Sequence, residues 1–151
     1  LQEGHNVYLL SDGGLPAFCD PGWELVDLCH QKGIKVTATP FASSVALSWA
    51  LSGFPPGPFY FQGFPPAKSE ERKDTLKKLL AMPSPVILMD TPYRLTALLE
   101  DLKLLLPAQR IIFLGLDLGT KEEQLYRGPS AGALELCRGK KREFVLILGP
   151  R

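Results

Sequence analysis

Histidine and cysteine are scarce in this chain of 151 residues, and their scarcity removes most metal and nucleophile chemistry. The two histidines, His5 and His30, have no Cys or carboxylate partners at metal-ligand spacing, so metal-assisted hydrolysis is not expected. Without a GxSxG segment, or a histidine placed to activate a serine, a hydrolase triad is not expected either. Cys19, Cys29 and Cys137 are odd in number and form no CxxC pair. That pattern is neither a disulfide framework nor a zinc site, and it points to a reducing cytoplasm. No apolar run reaches the roughly 18 residues that suggest a membrane span, and no signal peptide is visible. Charge of one sign is not in excess: the net value is +1, so nucleic-acid binding needs a local patch. A phosphate-binding Walker loop is missing, because LGTK lacks the upstream glycine spacing, and GLDLGT does not follow GxGxxG.

What is present is the balance of a globular protein, with 45% hydrophobic and 22% charged residues. The 14 prolines cluster in stiff connections such as FPPGP and FPPAK. The stretch SDGGLPAFCDPG, residues 11–22, lies between an apolar run predicted as a strand, Val7 to Leu10, and a helix predicted over Trp23 to Gln31 and stopped by Gly33. Its adjacent glycines let a ligand approach the main chain, and Pro16 and Pro21 stiffen it. Asp20 is read as a turn or helix-cap residue. A strand at Ile34 to Ala38 and a helix at Ser43 to Leu51 complete a βαβα order, which predicts parallel strands. The linker at 54–58 suggests two α/β domains, residues 1–56 and 57–151. The second is read as a mixed sheet. Its strands are PFYFQGF, Val86 to Met89, Ile111 to Leu114, Glu123 to Tyr126 and Phe144 to Leu148. Its helices are Ser69 to Met82, Tyr93 to Leu105 and Ser130 to Cys137. Ser69 is the expected cap of the first of these. Phe54, Phe59, Tyr60, Phe61 and Phe64 are expected as interdomain core. Residues 1–54 supply too few elements to cover both faces of a parallel sheet, so this half is expected to be incomplete by itself.

Four loops follow predicted strands: SDGGLP, TPFASS, MDTPYR and GLDLGTKEEQ. Rich in small residues, hydroxyls and prolines, they suit a polar cofactor held by main-chain groups, with chemistry done by positioning. Methyl transfer from S-adenosylmethionine fits that design, because the sulfonium is already activated.

Taken in order, the loops resemble the tetrapyrrole-methylase fold class, and within it the rRNA small-subunit methyltransferase I family of cytidine 2′-O-methyltransferases. That family carries SDAGTP-x-x-SDPG where this chain has SDGGLPAFCDPG. Its GI-x-VVPLPGPSA segment and a helix ending SGLP align without a gap on GIKVTATPFASSVALSWALSGFP. Its F-x-GFLP-x-K-x-x-x-R matches FYFQGFPPAKSEER, and its YESPHR matches MDTPYR. The resemblance implies two α/β domains with S-adenosylmethionine in the cleft between them, and a cytoplasmic homodimer acting on rRNA. It places Ser11, Asp12, Gly13, Gly14, Leu15 and Pro16 along the methionine and sulfonium side. Phe41, Ala42, Ser43 and Ser44 match the PGPSA turn, Met89 and Asp90 the approach of the second domain, and Gly119 and Thr120 the segment over the adenosine. Lys68, Arg72 and Arg94 are the candidate substrate-binding cations, and Asp90 the candidate catalytic base.

The departures are specific. SDAGTP loses its threonine in SDGGLP, and Cys19 replaces the serine of SDPG as a passive small residue. PFASS lacks the glycine and one proline of PGPSA. Tyr93 replaces the histidine of SPHR. Asp117 stands where ARELTK has its Glu, and the Arg of that segment is missing. These changes leave open a tetrapyrrole or other small-molecule methyltransferase, or a catalytically weak homologue that binds the cofactor or RNA.

Overall fold

A computed structural model describes residues 4–12 and 14–151, which fall into two compact units, Leu1–Ser43 and Ser44–Arg151. The division lies ahead of the 54–58 linker, because the second helix packs with the second unit rather than with the first half of the chain.

Among its described residues the first unit contains one regular element, helix α1 (Trp23–Gln31). Its entry at Gly22 has φ 124°, and a Cβ there would lie 2.4 Å from Leu9 Cδ2, so glycine serves both the turn and the contact. Among the described residues no side chain caps α1, which corrects the helix-cap reading of Asp20. The exit matches the expected stop: Gly33 adopts φ 64° and donates to His30 O, while the Ile34 amide reaches Cys29 O at 2.9 Å. The strands expected at Val7 to Leu10 and Ile34 to Ala38 are not formed. Val7, Tyr8, Leu10 and Val36 are exposed. Among the described residues neither segment has a neighbour to pair with, and apolar sequence makes a strand only where a ladder takes up its backbone groups.

The second unit is a five-stranded mixed sheet covered on both faces. Its strands are β1 (Tyr60–Gly63), β2 (Val86–Asp90), β3 (Ile111–Leu116), β4 (Gln124–Pro129) and β5 (Phe144–Leu148), in the order β1-β2-β5-β3-β4. β1 is parallel to β2, and the remaining pairs are antiparallel. The period of two divides the side chains. Val86, Leu88, Ile112, Leu114, Leu146 and Leu148 face helices α3 (Ser69–Leu80), α4 (Leu95–Leu105) and α5 (Ser130–Cys137). Ile87, Phe113, Val145 and Ile147 face Val45 and Trp49 of α2 (Ser44–Leu51). Phe54 and Phe61 join this second cluster, whereas Phe59, Tyr60 and Phe64 remain exposed. α3 starts after Lys68 with no side-chain cap; Glu70 and Glu71 in its first turn complement the helix dipole in place of the expected Ser69 cap.

Register fixes which strand ends share an edge. Asp90 is opposite Phe144, and Phe144 is opposite Leu116, so the carboxyl ends of β2 and β3 lie on one edge. β1 runs parallel to β2 and ends there too. Val86, Leu148 and Ile112 mark the opposite edge.

Candidate functional site

The carboxyl edge of the sheet gathers Met89, Asp90, Arg94, Gly119 and Thr120 of the expected site residues. Asp90, the last residue of β2, has a fully buried side chain. Its Oδ1 accepts the Thr91 amide at 2.6 Å, and Arg94 Nε and Nη2 both lie 2.6 Å from that same oxygen. Oδ2 is buried and has no partner among the described residues. A carboxylate held through one oxygen keeps the other for a donor from outside the chain. Arg94 sits in a short 3-10 turn, Pro92–Arg94, ahead of α4, and also reaches Pro65 O at 3.4 Å. The cost of a cation at a helix start is thus offset by Asp90. Met89 packs under the same edge on the α2 face.

The loop after β3 is more tightly tied than its sequence suggests. Asp117 takes φ 47° and anchors it. Its Oδ1 accepts the Glu143 amide at 3.0 Å, and its Oδ2 lies 2.5 Å from Arg142 Nε. Arg142 also donates to Gln124 Oε1 at 2.7 Å and to Glu122 O. The guanidinium absent beside Asp117 in the sequence is therefore supplied from 25 residues away. Its only signal was the basic run RGKKR, residues 138–142, before the last strand. Gly119 and Thr120 are exposed, yet their polar groups are engaged within the loop: the Gly119 amide donates to Glu123 Oε2 at 2.8 Å, and Thr120 Oγ1 accepts the Glu122 amide at 3.1 Å. The Thr120 hydroxyl retains its own proton to donate. On the same edge Lys141 Nζ lies 4.7 Å from the centroid of the Tyr93 ring.

Lys68 and Arg72 do not form the shared patch that their spacing predicts. Lys68 is exposed and pairs with Glu71 at 3.1 Å. Arg72 is buried, with Nε 2.7 Å from Asp101 Oδ2 and Nη1 donating to Ala67 O at 3.0 Å. Its guanidinium joins α3 to α4 and steadies the segment before α3; it does not face a phosphate. α3 buries the side that carries Arg72, Leu76 and Leu79, and a spacing of four residues puts Arg72 on that side.

In the first unit, the ends of the SDGGLPAFCDPG loop are joined by a hydrogen bond from the Ser11 hydroxyl to Asp20 Oδ2. The Phe18 amide closes a turn on Leu15 O at 3.1 Å. Ala17 and Cys19 hold positive φ, 64° and 59°, a conformation costly for residues with a Cβ. Partial burial, and then the Asp20 carboxylate, raise the Cys19 thiol above its ordinary range, which suits a passive residue better than a nucleophile. Asp12, Gly14 and Leu15 are exposed and Pro16 half-buried, while Gly13 lies outside the described residues. Phe41, Ala42, Ser43 and Ser44 are exposed just ahead of and at the start of α2.

Among the described residues no cluster of His, Cys, Asp and Glu is able to hold a metal ion. The donor set is instead one unpartnered carboxylate oxygen, a hydroxyl and loop backbone, which fits a polar organic cofactor.

A profile of the tetrapyrrole (corrin/porphyrin) methylases matches residues 1–133. The ribosomal RNA small subunit methyltransferase I of Escherichia coli O157:H7 is 35% identical over 152 residues, covering 98% of this chain and 53% of that protein. The protein of the same name from Thermotoga maritima is 33% identical over 150 residues, covering 98% and 67%. The chain thus spans about half the length of the first of these relatives. Among solved structures, the uroporphyrin-III C-methyltransferase of Thermus thermophilus complexed with S-adenosylhomocysteine superimposes with a TM-score of 0.59 at 18% identity, over 91% of this chain and 63% of that one. The methyltransferase CobJ gives 0.63 at 16% identity, over 89% and 61%. At such identities these likenesses establish the fold.

Proposed function

The chain belongs to the tetrapyrrole (corrin/porphyrin) methylase family, and from that premise we propose that it is an S-adenosylmethionine-dependent methyltransferase acting on RNA, at a ribose 2′-oxygen of ribosomal RNA. The observation that carries this reading is 35% identity, over nearly the whole chain, to a protein named for methylation of small-subunit rRNA. The solved tetrapyrrole enzymes, at 16–18% identity, support the fold and leave a tetrapyrrole substrate as the second reading.

When bound, the cofactor supplies a methyl group already activated on sulfonium. The residues proposed to hold it are Ser11, Asp12, Gly13, Gly14, Leu15 and Pro16, Phe41 to Ser44, Met89, Asp90, Gly119 and Thr120. The Ser11–Asp20 bond ties the start of the first of these loops to the turn ahead of α1. Asp90 is the candidate base: Arg94 and the Thr91 amide hold Oδ1, leaving Oδ2 to accept a hydroxyl proton. Lys68 and Arg94 meet the RNA phosphates, while Arg72 contributes indirectly by holding Ala67. The working form is a homodimer in the cytoplasm, which sedimentation of the purified protein tests.

The deciding experiment is calorimetric titration of S-adenosylmethionine and S-adenosylhomocysteine, followed by transfer of radiolabelled methyl to rRNA. Micromolar binding and labelled rRNA are expected. A folded protein that binds neither compound at millimolar concentration overturns the reading.

A further inference from the structure

The opposite edge of the sheet carries a second polar feature that the reading above does not use. A pocket of about 720 Å³ opens beside the start of β3 and the end of β5, lined by Lys77, Arg110, Arg127 and Arg151 together with Phe54 and prolines. Among the described residues no Asp or Glu side chain lines it. Its volume lies within the range of about 300–1,000 Å³ typical of small-ligand sites. β2 spans the sheet between the two edges, and at about 3.3 Å per residue the pocket is well over 10 Å from Asp90.

The cations are held in different ways. Arg110 is buried; its Nε donates to Gly149 O at 3.1 Å and its Nη1 to Leu80 O at 2.6 Å. Its Nη2 is buried with no acceptor among the described residues. Burial, and then the charge of Arg151, lower its pKa, and the side chains that line the pocket beside it include three further cations. Arg127 is exposed on β4 and lies 5.1 Å from the centroid of the Phe54 ring, which holds its guanidinium at the pocket. Lys77 is exposed, and its carboxylate partner, Asp74 at 3.0 Å, is a surface residue one helical turn away. A buried, incompletely bonded guanidinium behind three exposed cations and an aromatic ring is the chemistry that takes a phosphate oxygen.

We propose that this pocket seats a backbone phosphate of the RNA strand, forming a contact point separate from the carboxyl edge of the sheet. The proposal rests on the reading of RNA as substrate, but not on methyl transfer. It is tested by the salt dependence of binding of a labelled single-stranded RNA to the wild-type protein and to a Lys77→Gln, Arg127→Gln variant. Both residues are exposed, and circular dichroism checks that the variant folds. Emptying the pocket of its one phosphate is expected to lower the log–log salt slope by about 0.7, and affinity by on the order of fivefold near 0.1 M salt. A Lys78→Gln, Lys103→Gln variant changes two exposed helix cations outside the pocket and is expected to keep the wild-type slope. An unchanged slope in the pocket variant, an equal loss in the control, or no RNA binding by the wild-type protein each overturns the proposal. Titration of S-adenosylmethionine into the same proteins separates the two readings. Cofactor binding with no change in slope sinks the pocket alone, and a change in slope with no cofactor binding sinks the methyltransferase alone.

Discussion

Arg72 and Asp90 show what a charged side chain means once its surroundings are known. Arg72 is held between Asp101 and Ala67 O and is almost closed to solvent. Removing one partner leaves a buried charge uncompensated, so Asp101→Asn is expected to destabilise the fold by about 3 kcal/mol, read by urea denaturation. Asp90 keeps one oxygen for an outside donor. If it is the base, Asp90→Asn lowers the rate of methyl transfer by about a hundredfold or more, measured with radiolabelled cofactor. Gly149 is a steric case: a Cβ there would lie 2.6 Å from Ile111 O and 2.9 Å from the Phe54 ring. Backbone on one side and a packed ring on the other cannot both yield, so Gly149→Ala is expected to cost about 1–3 kcal/mol in the same assay.

At the scale of elements, helices were legible in the sequence and isolated strands were not. α1 and α5 begin and end at the predicted residues, because amphipathic spacing and stop signals are local. β2, β3 and β5 were equally clear, since each is an apolar run buried on both faces. The apolar run at Val7 to Leu10 looked the same in sequence and forms no strand, since pairing depends on a neighbour that local sequence does not specify. The loop after β3 is held by Arg142 from across the sheet. Arg142→Met should therefore raise amide exchange through residues 117–124 and lower stability by about 1–3 kcal/mol. Exchange confined to fraying of the whole sheet would show that the loop is held by other groups.

At the scale of the whole molecule, burial sets how stability varies at alkaline pH. Burial raises the Cys137 thiol above its ordinary value of 9.0, with Arg142 and Lys140 pulling it part of the way back. Burial also raises the Tyr126 hydroxyl. In both cases the folded state holds the proton more tightly than the unfolded state. The stabilisation is complete below the ordinary value and is lost as pH rises through the higher folded one. Thermal melts between about pH 8 and 11 should show Tm falling with pH, and Cys137→Ala should make that fall shallower.

The order of the four loops, the apolar strands of the second unit and the α/β class were determined by the sequence itself, because each depends on residue type and spacing along the chain. So was the family, through motifs whose residues lie close together. Tertiary structure decided which charges are available. Lys68, just ahead of α3, and Arg72 within it are one turn apart, yet one is in solvent and the other is buried against Asp101. Arg142 supplies a guanidinium that Asp117 lacks in its own segment. Arg110, Arg127 and Lys77 line one pocket from three separate elements of the chain. Electrostatic partners are set by distance through space, and the fold alone brings together residues that the chain keeps apart.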